Sequence, residues 1–178
     1  MVFRYCPSIF TLYFASTLLI YHDFDHEFNR DDIGYVTNNE NDIVFGRRNV
    51  LTITNALNAS YIFTNHMSLT FRLRHYWSKA EYQEYYALNF DGSLTDTSYS
   101  ENSNVNFNAF NIDMTYTWQF LPGSEMSIVW KNSILTDDSE VAKNYWRNLN
   151  NTFASPQTNS LSVKLLYYID YLSLKKMG

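Results

Sequence analysis

From Met67 to Trp77 the chain alternates without a break. Met67, Leu69, Phe71, Leu73, His75 and Trp77 hold one parity, and Ser68, Thr70, Arg72, Arg74 and Tyr76 the other. A period of two sends successive side chains to opposite faces of an extended strand, so one face is greasy and the other cationic. The same pattern runs through Phe110–Phe120, Met126–Ile134 and Asn159–Tyr171, and more weakly through Leu51–Phe63, where Asn55 interrupts it. These stretches predict strands at about 50–63, 67–78, 104–120, 125–135 and 158–171. Residues 1–22 form a separate segment. There Phe10, Leu12, Phe14, Leu18 and Ile20 alternate with polar and small residues as in a strand, while Arg4 followed by the apolar run Ile9–Ile20 imitates a secretory signal without a small-x-small cleavage site. The pattern predicts an all-β chain, an antiparallel up-and-down meander of about six long strands.

The connections alternate in length. Thr64-Asn65-His66 and Leu121-Pro122-Gly123 are tight, whereas about 22–49, 79–103 and 136–157 are long and polar. Short turns at one end and long loops at the other are the habit of outer-membrane barrels. Phe63 and Met67 share a parity, as do Phe120 and Met126, which calls for an odd number of loop residues. The expectation is three- or five-residue turns with a bulge. A turn centred on Pro122 sets Asp113 opposite Lys131.

Charge and composition narrow the picture. The 178 residues carry 13 Lys+Arg against 18 Asp+Glu, a formal net charge of -5, which argues against a charge-driven nucleic-acid partner. A lone Cys6 excludes an internal disulfide and a cysteine zinc site. No run of roughly 18 apolar residues is present to make a transmembrane helix. The three long connections carry a net -9, leaving +4 for the rest. Arg72, Arg74, Lys131 and Lys164, with Asp113 and Asp170, lie on polar strand parities, and a hydrated lumen suits them better than a dry core. Tyr61 and Phe63, Trp118 and Phe120, and Tyr167 and Tyr171 fall near one end of the descending strands, as an aromatic membrane-interface girdle would. The fold expected is therefore part of a transmembrane β-barrel of the bacterial outer-membrane type, non-catalytic, with lipid on its apolar face. Six strands leave two open edges, and about eight are needed to close a barrel, so further strands must come from a longer parent or another chain. The alternative is a soluble carbohydrate-binding β-sandwich with the apolar face as core.

Candidate chemistry is thin. His22, Asp23, Asp25, His26 and Glu27 hold metal-capable groups in one short run, but a solvated acidic loop explains them equally, and neither a metal nor a cofactor is expected. Asp31-Asp32 and Asp137-Asp138 resemble a glycosidase pair only in composition, since neighbours in extended chain point apart. No Gly-x-Ser-x-Gly turn anchors a hydrolase triad. Segments 79–90 and 138–150 have the composition of short helices, and Tyr82, Tyr85, Tyr86, Tyr145 and Trp146 offer rings that can stack on sugars or pack loop on loop.

The segments RLRHYWS (72–78), FNAFNIDMTYTWQFLPGSEMSIVWKNSI (107–134) and NTFASPQTNSLSVKLLYYIDYL (151–172) resemble the C-terminal barrel region of the DUF5916 proteins of Bacteroidetes-type bacteria. The resemblance covers residues 23–175. FNRDDIGYV (28–36) is similar to the Asn-Asp-Leu-Gly loop motif of such barrels but departs from it at the Asn. The resemblance implies that residues 23–178 are the C-terminal part of a transmembrane β-barrel, a partial outer-membrane barrel, and that the parent has a role in transport or surface carbohydrate handling. Whole members also carry an N-terminal module similar to family 9 carbohydrate-binding modules. No residues of that module are present here, so no sugar-binding or hydrolytic role carries over.

Overall fold

Long β-rich runs free of Pro, with Gly34 and Gly46 the glycines inside the six long strands, propagate a ladder until a turn residue stops it. A computed structural model describes residues 2–4, 10–13, 17–39, 42–142 and 144–169. The elements are β1 (Val2–Arg4), β2 (Phe10–Tyr13), β3 (Thr17–Asn39), β4 (Asp42–Thr64), β5 (Met67–Leu88), β6 (Leu94–Asp96), β7 (Val105–Leu121), β8 (Ser124–Asp138), α1 (Tyr145–Ala154) and β9 (Gln157–Leu166). β3, β4, β5, β7, β8 and β9 are the six long strands, each antiparallel to the next in sequence order. The short β1 and β2 pair with β3, and β6 pairs with β5. Among the described residues no pairing joins β9 back to the β3 side, so the sheet is open.

Four expectations need correction, the last of them the length of the turns. The connection at 22–49 is largely ladder: β3 and β4 pair from Thr17–Ile62 up to Asn39–Asp42, with bulges between Glu27 and Arg30 and between Tyr35 and Thr37. Residues 79–88, with a helical composition, continue β5 instead, because Ile43–Val50 of β4 offers them a waiting strand edge. The N-terminal apolar run is not one continuous strand, since Phe10–Tyr13 pairs antiparallel with Thr17–Ile20; Ile9 and residues 14–16 of that run lie outside the described residues. The segment 138–150 does contain a helix start. Asn144 caps α1 by accepting a hydrogen bond from the Arg147 amide, and Pro156 follows its end.

The turns satisfy parity by a different route. Thr64 pairs with Met67 and Leu121 with Ser124, leaving two-residue turns, and a bulge just before each absorbs the odd residue, Phe63 in one and Phe120 in the other. Pro122 followed by Gly123 at φ +76° has the residue pattern of a type II turn.

Register assigns the faces. Leu57, Leu73, Ile112 and Asn132 share one, and Asn58, Arg72, Asp113 and Lys131 the other. Buried apolar side chains are few: Val44, Ile53, Trp77, Ala80, Phe110, Ile134 and Ala142. Ile53, Trp77, Phe110 and Ile134 are on the apolar face toward the loop end, where α1 and the segment leading to it cover the sheet. Nearer the turns that face has no second layer among the described residues. Leu161, Val163 and Leu165 are all more than 60% exposed.

Candidate functional site

A cavity of about 850 Å³ opens on the polar face and spans the sheet from β3 to β8, lined by Tyr21, Asn58, Arg72, Asp113 and Lys131 among others. The polar face is therefore the concave one. The +72/+74 alternation of β5 brings two arginines to it, and β7 and β8 supply the partners. Asp113 pairs in register with Lys131 and with Arg72. Its carboxylate accepts a hydrogen bond from Arg74 Nη2 at 3.1 Å and lies 3.8 Å from Lys131 Nζ. Arg72 Nε donates instead to Asn58 Oδ1 at 2.9 Å. Arg74 and Lys131 are more than half exposed, so water solvates the charges that protein does not. Lys164 lies on the same face, opposite Ser127. Asp170 is outside the described residues, as is Tyr171.

The apolar face carries the aromatics. Phe63 meets Tyr61 edge-on at 4.6 Å and Tyr116 at 6.5 Å; Trp118 meets Phe120 at 5.7 Å, and Phe120 stacks with Tyr167 at 6.2 Å. These rings cluster at the turn end. Phe63 and Phe120 are the bulged residues, and each stands two positions after its partner ring, so strand alternation keeps Tyr61 with Phe63 and Trp118 with Phe120.

Two polar groupings were not legible as sites. On the apolar face, under α1, a hydrogen-bonded chain runs from Asn55 Nδ2 to the Tyr145 hydroxyl (3.0 Å), from there to His75 Nδ1 (3.1 Å), and from His75 Nε2 to Asn108 Oδ1 (3.4 Å). Asn108 and Asn148 then exchange amide hydrogen bonds. A neutral imidazole protonated at Nε2 satisfies every member. Beside it Trp77 Nε1 donates to Asn106 Oδ1 at 2.8 Å. The available signal was Asn106 and Asn108 standing at the apolar parity of β7.

The second grouping is at the loop end of the concave face. Gly34 and Gly46 pair across β3 and β4. A Cβ on Gly46 would meet the Tyr82 ring, and one on Gly34 the Arg48 guanidinium, each closer than 3 Å. The glycines thus make room for Arg48 and Tyr82, which are joined by a 2.9 Å hydrogen bond, while Asp32 lies 3.6 Å from Arg48. On the opposite face Arg47 forks onto Asp31 and approaches Glu84 at 3.5 Å. The Arg47 hydrogen bond holds the Asp31 carboxyl below its ordinary range, and a hydrogen bond from the Tyr86 hydroxyl does the same for Glu84.

Strand alternation divides the candidate metal cluster. His22 and His26 pair with Leu57 and Ile53 on the apolar face, and Asp23 and Asp25 with Ala56 and Thr54 on the polar one. Among the described residues no group of three or more metal-capable side chains converges. Asp137 and Asp138 likewise point to opposite faces, and Asp138 accepts from the Glu140 amide. Of the five rings proposed for sugar stacking, Tyr82 and Tyr85 stack on each other, Tyr145 is tied into the network under α1, and Tyr86 donates to Glu84. Trp146 is 75% exposed.

No curated protein and no solved structure matches the chain. The model of the family described as a domain of unknown function, DUF5916, matches residues 7–178. With an open antiparallel sheet over nearly that whole span, the chain belongs to the DUF5916 family.

Proposed function

We propose that this chain is a non-catalytic wall segment of a bacterial outer-membrane β-barrel. Its apolar convex face meets lipid, and its polar concave face lines a hydrated lumen. The observation that carries the reading is the direction of curvature. Arg72 and Lys131 line the cavity on the concave side, where register also puts Arg74, while register puts Phe71, Trp130 and Val163 on the other side, which among the described residues has no second layer near the turns. Sheets that bury a core in water turn the apolar face inward; a membrane barrel turns it outward. The aromatic cluster at the turn end supports the same reading, because amphipathic rings favour the headgroup level.

Closure requires more strands, from another segment of a longer protein or from another chain. β3 and β9 are antiparallel in sense, so an even number of strands must lie between them if every new pairing is antiparallel too. The rival, a soluble carbohydrate-binding β-sandwich, requires a second sheet stacked about 10 Å from the apolar face. α1 already occupies the loop-end part of that face. Membrane fractionation combined with gel mobility before and after boiling tests the proposal. Recovery with the outer membrane and a heat-dependent shift are expected; a soluble protein without a mobility change would favour the sandwich.

A further inference from the structure

We infer that α1 is an interfacial helix, seated on the outside of the barrel with Trp146 in the headgroup layer at the loop-end surface of the bilayer. The inference rests on the barrel reading above and adds to it a second membrane boundary. α1 packs on the apolar face of the sheet, not on the concave one, since Tyr145 reaches His75 and Asn55, and Asn148 reaches Asn108. Tyr145, Asn148 and Thr152, at i, i+3 and i+7, form the stripe turned to the sheet. Trp146, Leu149 and Phe153 follow the same spacing and form the neighbouring stripe, which is apolar.

The direction of that stripe follows from its contacts. Phe153 sits edge-on to Phe110 at 4.9 Å, and Phe110 is one step nearer the turns than Asn108, which Asn148 holds. The apolar stripe therefore faces the uncovered band, not the loops. Trp146 and Phe153 nevertheless remain 75% and 47% exposed, while Asn144, Arg147 and Asn151 lie on the other side of the helix.

Spacing supplies the occupant. Trp118 in the turn-end cluster and Asn108 beneath α1 are ten residues apart on β7. Strands that cross an outer membrane use about 9–11 residues at a tilt near 45°, giving an apolar band roughly 25 Å tall. A helix at the upper limit of that band, with its apolar side toward it, fits the boundary between acyl chains and headgroups. It also covers His75, Asn55 and Asn108, polar groups that hydrocarbon would otherwise meet.

The test uses the full chain in the assembly extracted from membranes, carrying Cys6→Ser, reconstituted into phosphatidylcholine vesicles. An environment-sensitive fluorophore is attached through Trp146→Cys or, as a mid-band reference, Leu161→Cys; both side chains are largely exposed, and the substitution at 146 removes an edge-on ring contact with Tyr145 but none of the hydrogen bonds that dock α1. Nitroxide lipids labelled at the headgroup or deep in the chain act as quenchers. Expected is quenching at position 161 mainly by the deep nitroxide and at position 146 severalfold more by the headgroup nitroxide. Quenching at 161 with none at 146 would place α1 in water and overturn the inference while leaving the barrel intact. Stronger deep than shallow quenching at 146 would submerge the helix and overturn it as well. Quenching at neither position would remove the membrane reading and this inference together.

Discussion

At the scale of single residues, His75 is the side chain through which the polar network joins Tyr145 to Asn108. It is 1% exposed and bridges helix to sheet, accepting from the Tyr145 hydroxyl and donating to Asn108. Replacing it by Phe keeps a ring against Phe110 but strips Tyr145 of an acceptor and Asn108 of a donor. A buried polar group left unpaired costs about 1–3 kcal/mol, and here the loss falls on the docking of α1. Tryptic cleavage after the exposed Arg147 should accelerate in His75→Phe by roughly 5- to 100-fold if α1 opens before it is cut. An unchanged rate would mean that the network does not hold the helix. The sequence concealed this residue because His at the apolar parity of a strand looks like one more member of the greasy face. Only register places Asn55, Asn108 and a distant Tyr145 around it. Arg72, Arg74, Asp113 and Lys131 were legible for the converse reason. Parity alone puts them on one face, and the Pro122-Gly123 turn fixes which residues oppose each other.

At the scale of elements, turns and bulges decide which residues oppose each other across the sheet. Gly123 adopts φ +76°, and a Cβ there would also sit 3.1 Å from Tyr168 Cβ. Gly92 adopts φ +84° with open space around it. Gly123→Ala should therefore destabilise by more than Gly92→Ala, which carries only the backbone strain of about 1 kcal/mol; urea midpoints of the two variants give the comparison. Equal midpoints would show that the Tyr168 contact relaxes freely. The tall hairpin of β3 and β4 adds a pH dependence. Asp31 and Glu84 have depressed carboxyl pKa values in the folded chain, so their contribution is present above the ordinary carboxylate range and lost as pH falls through the lowered values. Hydrogen exchange at the loop end of β3–β5, corrected for intrinsic rates, should stay protected above about pH 5 and loosen below about pH 4. Arg47→Gln should flatten the Asp31 part of that profile. This hairpin is where local signals misled most. Residues 22–49 are rich in Asp, Asn and Arg, and residues 79–88 in helix formers, yet each becomes strand because a neighbour supplies a ladder. Pairing of that kind is a tertiary fact that composition does not encode. The two-residue turns were missed on a narrower point: parity demands one extra residue but does not say whether turn or bulge holds it.

At the scale of the whole molecule, the question is which side of the sheet is wet, and the two faces answer through different substitutions. Asp113 lies between Arg74 and Lys131, 3.1 and 3.8 Å away. If the concave face lines a hydrated lumen, Asp113→Asn removes a screened, part-exposed interaction worth at most about 1 kcal/mol, because water replaces the carboxylate around both cations. If that face were instead buried against another layer, the same substitution would strand two cations in a dry interior and cost about 3–5 kcal/mol. Phe71→Arg probes the other side. On a lipid-facing wall, arginine near mid-band costs about 2–4 kcal/mol and less toward either interface, so Phe71→Arg should be severe and Phe63→Arg, in the turn-end aromatic cluster, mild. A sandwich core has no such depth profile; there the penalty follows burial, with no interface to escape to. The heat at which the folded band disappears on unboiled gels ranks all three variants. The lumen-and-lipid reading requires Asp113→Asn close to the parent, Phe63→Arg slightly below it and Phe71→Arg far below. An Asp113→Asn protein as unstable as Phe71→Arg would mean that the arginine-bearing face is the dry one, and the assignment of inside and outside would have to be reversed.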